Sequence, residues 1–239
     1  MDAVLYEKPL RIELAGTDLF VNEGKHPKSI RTMGQMRKVL RQYHDEAADV
    51  PLYYMFRDVF KREGIRFDIT VIPARIIGDE YVKTFGHYHP GSEDGPAYPE
   101  VYQVVRGNAE FIMQKRNRNG SVDTMIVAAK EGEVILIPPE WGHVSINRGE
   151  NTLVLANLVY EGFESLYKEY EENQGAAFYY LKEGQMTQNT NYVVHENKQL
   201  SAAKINESYG FSSKDILAEF YADPRRFEFL KKPGLLSKA

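Results

Sequence analysis

The sequence predicts an all-β core, either a sandwich or a barrel, on three observations. Short apolar or alternating runs follow one another from Ile65 to Tyr160. The gaps between them are rich in Gly and Asn, which reach the positive φ that tight turns need. No helical stretch intervenes, so successive strands have to pair with one another rather than cross over.

The elements follow in order. From Ser29 to Tyr43, Ile30, Met33, Met36, Leu40 and Tyr43 recur at spacings of three and four, which predicts an amphipathic helix or an irregular arm, weakened by Gly34. Strands are expected at FDITVIPARII, YVKTF, EVYQVV, AEFIMQK, VDTMIVA, EVILI, HVSIN and TLVLANLVY. Pro73 marks an edge or bulge in the first of these. Beyond Tyr160, GAAFYYLKEG can add a strand ending in a turn. Ser212 and Asp215 can cap a helix through DILAEFY, and Asp223-Pro224 opens another that Pro233-Gly234 stops. Residues 1–60 are thus expected as an arm or helical segment, 61–162 as the barrel, and 163–239 as a strand and helical extension of the same domain.

Composition narrows the function. The chain has 239 residues, 43% hydrophobic and 27% charged, as an ordinary globular domain does. Thirty basic against 34 acidic residues give a net charge of −4, without the basic surface that nucleic acid binding needs. There are no cysteines, which excludes disulfides, zinc–thiolate sites and thiol nucleophiles. The N-terminal residues lack the pattern of a signal peptide, and LVLANLVY is interrupted by Asn157, so no membrane span is expected. A cytoplasmic protein is the expectation. Aromatic content is 12%, with 16 Tyr and 12 Phe, and most of these are read as packing.

One constellation carries chemistry. His87 and His89 in GHYHP lie two apart, so on a strand both imidazoles face the same way. Glu100 opens EVYQVV and His143 opens HVSIN. Three imidazoles and a carboxylate suit Fe(II), Mn(II), Ni(II) or Zn(II), and around a six-coordinate ion they leave two positions open for a bidentate substrate. Glu93 also lies near the histidines, but in the turn-forming run PGSEDGPAYP. Glu100 begins a strand and keeps Gly107 in register behind it, so Glu100 is the preferred ligand.

The ordered set of His87, His89, Glu100 and Gly107, then Gly132, Pro138, His143 and Asn147, resembles the two cupin motifs. Glu140 stands where the second motif often has glycine. The stretches FDITVIPARIIGDEYVKTFGHYH, PEVYQVVRGNAEFIMQ and VILIPPEWGHVSINRGENTLVLANLVY are more specifically similar to cupin glucose-6-phosphate isomerases, over about Ile30 to Tyr192. The resemblance implies a jelly-roll-like cupin barrel in a homodimeric enzyme that interconverts glucose 6-phosphate and fructose 6-phosphate. It implies one divalent metal ion per subunit, Fe(II) or Mn(II) ahead of Ni(II) or Zn(II), held by His87, His89, Glu100 and His143. It places Thr70, Thr84 and Gly86 at the phosphate with Tyr160 nearby, and Tyr102 and Tyr54 at the sugar. Lys83 could add charge there. A histidine of the family is replaced around Ser165, and Tyr167 matches a tyrosine beyond it; neither is assigned a role.

Glu100 is the acid that the motif places at the metal, so it could act as a base, with Tyr102 two residues on reaching a substrate oxygen. A hydride shift needs no base, and both routes stay open. Strict alternation puts Thr84 opposite His87, so a bulge is expected at or before Gly86. Two other readings share the motif: a dioxygenase or decarboxylase, and a non-catalytic sugar-phosphate-binding cupin. The segment from Val193 to Ala239 has no assigned role.

Overall fold

The computed structural model describes residues 2–43, 48–93 and 95–236. The chain starts with an antiparallel four-stranded sheet of β1 (Asp2–Tyr6), β2 (Ile12–Ala15), β3 (Asp18–Val21) and β4 (Gly24–His26). Next come β5 (Ser29–Thr32) and the single turn α1 (Met33–Met36), capped reciprocally by Thr32 and Gln35. Within Ser29–Tyr43, expected as an amphipathic helix or irregular arm, Ser29–Thr32 is strand, Met33–Met36 is one helical turn and the rest is irregular. Ile30 is drawn into a ladder with β6 (Pro51–Arg62). Gly34 packs so tightly under Ala48 that a Cβ there would lie 3.1 Å from its carbonyl oxygen.

A two-residue turn with positive φ at Glu63 and Gly64 joins β6 to β7 (Ile65–Ile72), the geometry a tight hairpin prefers. β7 stops just before Pro73, which cannot donate to a ladder. Two short strands follow, β8 (Ile76–Ile77) and β9 (Glu80–Tyr81). Of the expected strand YVKTF, Tyr81 ends β9 and Lys83 makes an isolated bridge with Ile146; a further bridge joins His87 to His143 beyond Gly86, whose φ of 83° interrupts the ladder. The remaining expected strands form as β10 (Glu100–Arg106), β11 (Asn108–Arg116), β12 (Val122–Lys130), β13 (Val134–Ile137), β14 (Trp141–Asn147) and β15 (Leu153–Tyr160).

Two sheets face each other: β13-β10-β15-β7-β6-β5, and β14-β11-β12 extended by β18 (Val194–Ser201). This is the all-β, jelly-roll-like core expected from the sequence. Tyr102, Val104, Ile135 and Leu155 of the first sheet pack against Phe111, Met113, Val127 and Val144 of the second. The gap between the sheets is where the site lies.

After β15 come α2 (Lys168–Glu172), the hairpin β16 (Phe178–Tyr180) and β17 (Met186–Gln188), then β18, α3 (Ala202–Glu207) and α4 (Ile216–Ala222). Asp215 caps α4 as expected, whereas the helix expected after Pro224 is a 3-10 helix, Pro224–Leu230. The C-terminal segment stabilises the fold in two ways. Asn206 accepts from Leu136 N–H and donates to Val134 C=O, which satisfies the open edge of β13. Phe220 and Phe227, with Ile12 and Leu19 of the N-terminal sheet, cover Phe67, Val101 and Val154 on the outer face of the large sheet. Each such buried side chain contributes about 1.5–3 kcal/mol relative to exposure. Among the described residues no helix is long and apolar enough to cross a membrane.

Candidate metal centre

His87 and His89 reach the interior from the segment around Gly86, not from a regular strand. Gly86 allows this twice over: its φ is positive, and a Cβ there would lie 2.5 Å from the Tyr170 ring. The left-handed turn is the irregularity expected there, and it brings Thr84 and His87 to the same cavity. The backbone of His87 bonds with that of His143 in both directions, clamping the His87 segment to β14 across the sheet seam. β10 delivers Glu100 and Tyr102 to the same interior.

The ligand atoms converge. The Nε2 atoms of His87 and His89 are 3.1 Å apart. Glu100 Oε2 lies 3.4 Å from His89 Nε2 and 3.3 Å from His143 Nε2. His87, His89 and Glu100 form a cluster compact enough to hold a metal ion. His143 joins them through Glu100, with its ring 4.6 Å from that of His87. Glu93 is exposed in its turn, away from this cluster.

Donor chemistry fits a divalent ion. His89 Nδ1 bonds the Tyr98 carbonyl at 2.8 Å, which puts its proton on Nδ1 and leaves Nε2 as a free lone pair. Asn157 donates to Glu100 Oε1 at 2.7 Å, while Oε2 is buried without a hydrogen-bond partner. Such an orphaned carboxylate oxygen facing imidazole nitrogens is what a cation would satisfy. Burial pushes the His143 imidazole down to about 4, with the charge of Glu100 opposing the change and that of His89 adding to it. Burial and the neighbouring His143 and His89 lower His87 well below its ordinary value. Burial would raise Glu100, but the neighbouring imidazoles of His89 and His143 outweigh it and hold the carboxyl below its ordinary value. At neutral pH Glu100 is thus an ionised carboxylate and His87 and His143 are neutral imidazoles, the ligating forms. His143 Nδ1, unlike that of His89, has no partner among the described residues.

Glu140 departs from the second motif, whereas Asn147 keeps it. Glu140 adopts φ 74°, the conformation a glycine would supply, and its carboxylate accepts the Ala97 N–H at 2.6 Å. It thereby ties down the loop that carries Tyr98, and through Tyr98 orients His89. Asn147 closes its own turn by bonding Ile72 C=O, Asn151 C=O and Gly149 N–H.

The cavity beside the cluster is lined by Thr70, Thr84, Gly86 and Tyr102, and by Ser165 and Tyr167. It is not lined by Tyr54 or Tyr160. Tyr54 points to the opposite face of β6, under Lys28, because strand parity sends Tyr53 and Met55 inward. Tyr160 packs behind Tyr98 and Phe163 instead. Lys83 is also elsewhere, buried in an ion pair with Glu80 over the Tyr179 ring. Sequence reasoning missed Arg31, Tyr53, Arg57, Arg66, Asp68 and Asn157. Recognising β6 as a strand would have supplied Tyr53 and Arg57, and the parity of β7 would have supplied Arg66 and Asp68 with Thr70. Asp68 is held by Arg66 at 2.9 Å and by the Asp58 N–H at 2.9 Å.

Two facing, largely antiparallel sheets with His87, His89, Glu100 and His143 gathered at their seam define the cupin class. Within it the model of the glucose-6-phosphate isomerase family matches residues 36–197, and the chain belongs to that family. The glucose-6-phosphate isomerase of Thermococcus litoralis is 24% identical over 163 residues, covering 64% of this chain and 79% of its own length. That of Pyrococcus furiosus is 23% identical over 157 residues, covering 63% and 78%. That of Sinorhizobium medicae is 30% identical over 132 residues, covering 51% and 58%. Among solved structures, a Bacillus subtilis oxalate decarboxylase variant matches at TM-score 0.34 and 17% identity, over 48% of this chain and 27% of its own.

Proposed function

We propose that the chain interconverts glucose 6-phosphate and fructose 6-phosphate with a divalent metal ion held by His87, His89, Glu100 and His143. The observation that carries this reading is that one cavity joins the metal cluster to the hydroxyls of Thr70 and Thr84 and the backbone at Gly86. A sugar phosphate could thus be held at both ends. Fe(II) or Mn(II) suits a set of three imidazoles and one carboxylate.

The isomerisation moves one hydrogen between C2 and C1 and shifts protons between their oxygens. A bound divalent ion would supply Lewis acidity at O1 and O2, where negative charge develops. The protein's own residues set the rest. Asn157 fixes one Glu100 oxygen and leaves the other free for the cluster. Burial and the charge of Glu100 raise the Tyr102 phenol well above its ordinary value, so it stays a proton-bearing donor. Its hydroxyl lies 3.2 Å from His143 Nε2, and from there could hold a substrate oxygen. Glu100 is the candidate base, while a hydride shift would use the same positioning without it. We place the activity in cytoplasmic glycolysis and gluconeogenesis and the chain in a homodimer, as the family resemblance implies.

The test is an anaerobic assay of chelator-stripped protein, reloaded with Mn(II) or Fe(II) and given fructose 6-phosphate. Formation of glucose 6-phosphate only in the reloaded samples is the expected result. Full turnover in demonstrably metal-free protein would end the metal-dependent reading. Oxygen consumption in place of isomerisation would move the chain to the oxidative cupins.

A further inference from the structure

Resting on the isomerase reading, we propose that Arg31 is the cation that binds the phosphate group of the sugar phosphate. Arg31 sits on β5 opposite Tyr53 in the ladder with β6, so both side chains enter the space between the sheets. It lines the cavity beside Thr70, Thr84 and Gly86. Its guanidinium lies over the Phe85 ring, 5.4 Å from the centroid. The guanidinium also hydrogen-bonds the Tyr53 hydroxyl, which together with the ring holds it in place.

The decisive feature is an unmet donor. Arg31 Nε is buried and bonds to no described residue. A buried guanidinium donor without an acceptor is costly, and an anion arriving in the cavity would satisfy it. The other cations of the cavity differ. Arg66 is held by Asp68 at 2.9 Å and Arg57 lies 3.6 Å from the same carboxylate, whereas no ion pair joins Arg31 to a described acidic residue. Among the described residues Arg31 is therefore the cavity's arginine with no carboxylate partner, and it stands beside neutral hydroxyl donors that alone would hold a dianion weakly.

Arg31 has a second exposure. It also lines a surface groove with Arg37, Lys38 and Gln35, outside Phe85 and Tyr167. Lys38 is paired with Glu171 at 2.5 Å, but Arg37 is exposed. The guanidinium thus stands between the interior and a basic surface, where a phosphate could be drawn in from solvent. A planar fork can engage two phosphate oxygens together, which an ammonium cannot reproduce.

The test compares wild type, Arg31→Gln and Arg31→Lys as metal-loaded proteins. Each is measured for KM and kcat with fructose 6-phosphate, inhibition by inorganic phosphate, bound metal and thermal midpoint. For Arg31→Gln, KM should rise roughly ten- to a hundredfold with kcat much less affected, since a phosphate contact equal in ground and transition states appears in KM. Inhibition by inorganic phosphate should weaken by a similar factor, and Arg31→Lys should fall between the two. Bound metal should be unchanged in both variants. Unchanged KM and phosphate inhibition in a folded, metal-loaded Arg31→Gln would overturn the proposal. So would a loss in kcat alone, which would place Arg31 at the reacting end. If Arg31→Gln does not fold, Arg31→Lys decides alone: wild-type KM and phosphate inhibition would count against phosphate binding. A wild-type protein that fails to isomerise fructose 6-phosphate with any metal would overturn the isomerase reading itself, while phosphate-induced stabilisation still reports on Arg31.

Discussion

Asn157 Nδ2 donates to Glu100 Oε1 at 2.7 Å, and this one bond decides which oxygen of the carboxylate faces the three imidazoles. The two residues come from neighbouring strands, with Tyr102 opposite Asn157 in the ladder of β10 and β15. Asn157 is also the residue that interrupts the apolar run LVLANLVY, and its amide explains that interruption. Replacing it by Ala should loosen the carboxylate and lower metal affinity about ten- to a hundredfold, the usual effect of losing a partner behind a ligand. Titration of the stripped variant with Mn(II) checks this; wild-type affinity would mean that the bond does not orient the ligand.

Glu100→Gln and Glu93→Gln separate the two candidate carboxylates. The first neutralises a buried ligand and should reduce metal binding or turnover strongly, whereas the second alters an exposed turn residue and should do little. Bound metal per subunit and kcat/KM are the measurements, and reversed behaviour would reassign the ligand.

The two threonines give unequal tests of the phosphate end. Thr84 Oγ1 accepts the Ser145 N–H at 3.0 Å, so Thr84→Val strands a backbone donor as well as deleting a hydroxyl. It should cost about 1–3 kcal/mol of stability besides weakening substrate. The hydroxyl of Thr70 bonds to no described residue, which makes Thr70→Val the cleaner probe. A KM raised roughly tenfold without loss of stability is expected there. An unchanged KM would return Thr70 to an ordinary strand position.

The metal-free protein should lose stability as pH falls from about 6.5 to 4. His143 is held down to about 4, and His87 is lowered well below its ordinary value. In that window the unfolded chain binds protons that the folded chain refuses, so acid favours unfolding. For His143 alone the loss is on the order of 3 kcal/mol across the window. Glu100, also lowered, adds to it in the same direction, through the carboxylate range. Thermal midpoints of the stripped protein against pH, with His143→Asn as comparison, check this. A pH profile that His143→Asn does not flatten would show that the imidazole is not held neutral.

Hydrophobic alternation between turn residues determined the all-β core, because strand parity and turn chemistry are local properties. The spacing of His87, His89, Glu100 and His143 marked the candidate metal cluster for a related reason: metal ligation demands particular side chains, and these stand out from their neighbours. Tertiary structure decided what depends on facing surfaces. It placed Tyr53 inward and Tyr54 outward, because β6 pairs with both β5 and β7 and that pairing fixes its parity. It reduced a segment whose spacing read as a helix or irregular arm to a short strand, one helical turn and an irregular stretch, since ladder bonds and burial outweigh weak local propensity. It moved Lys83 into a buried pair with Glu80, brought Asn157 to Glu100, and left Arg31 Nε without an acceptor among the described residues. Each of these contacts joins residues whose pairing only the packing of the sheets and their connecting segments establishes.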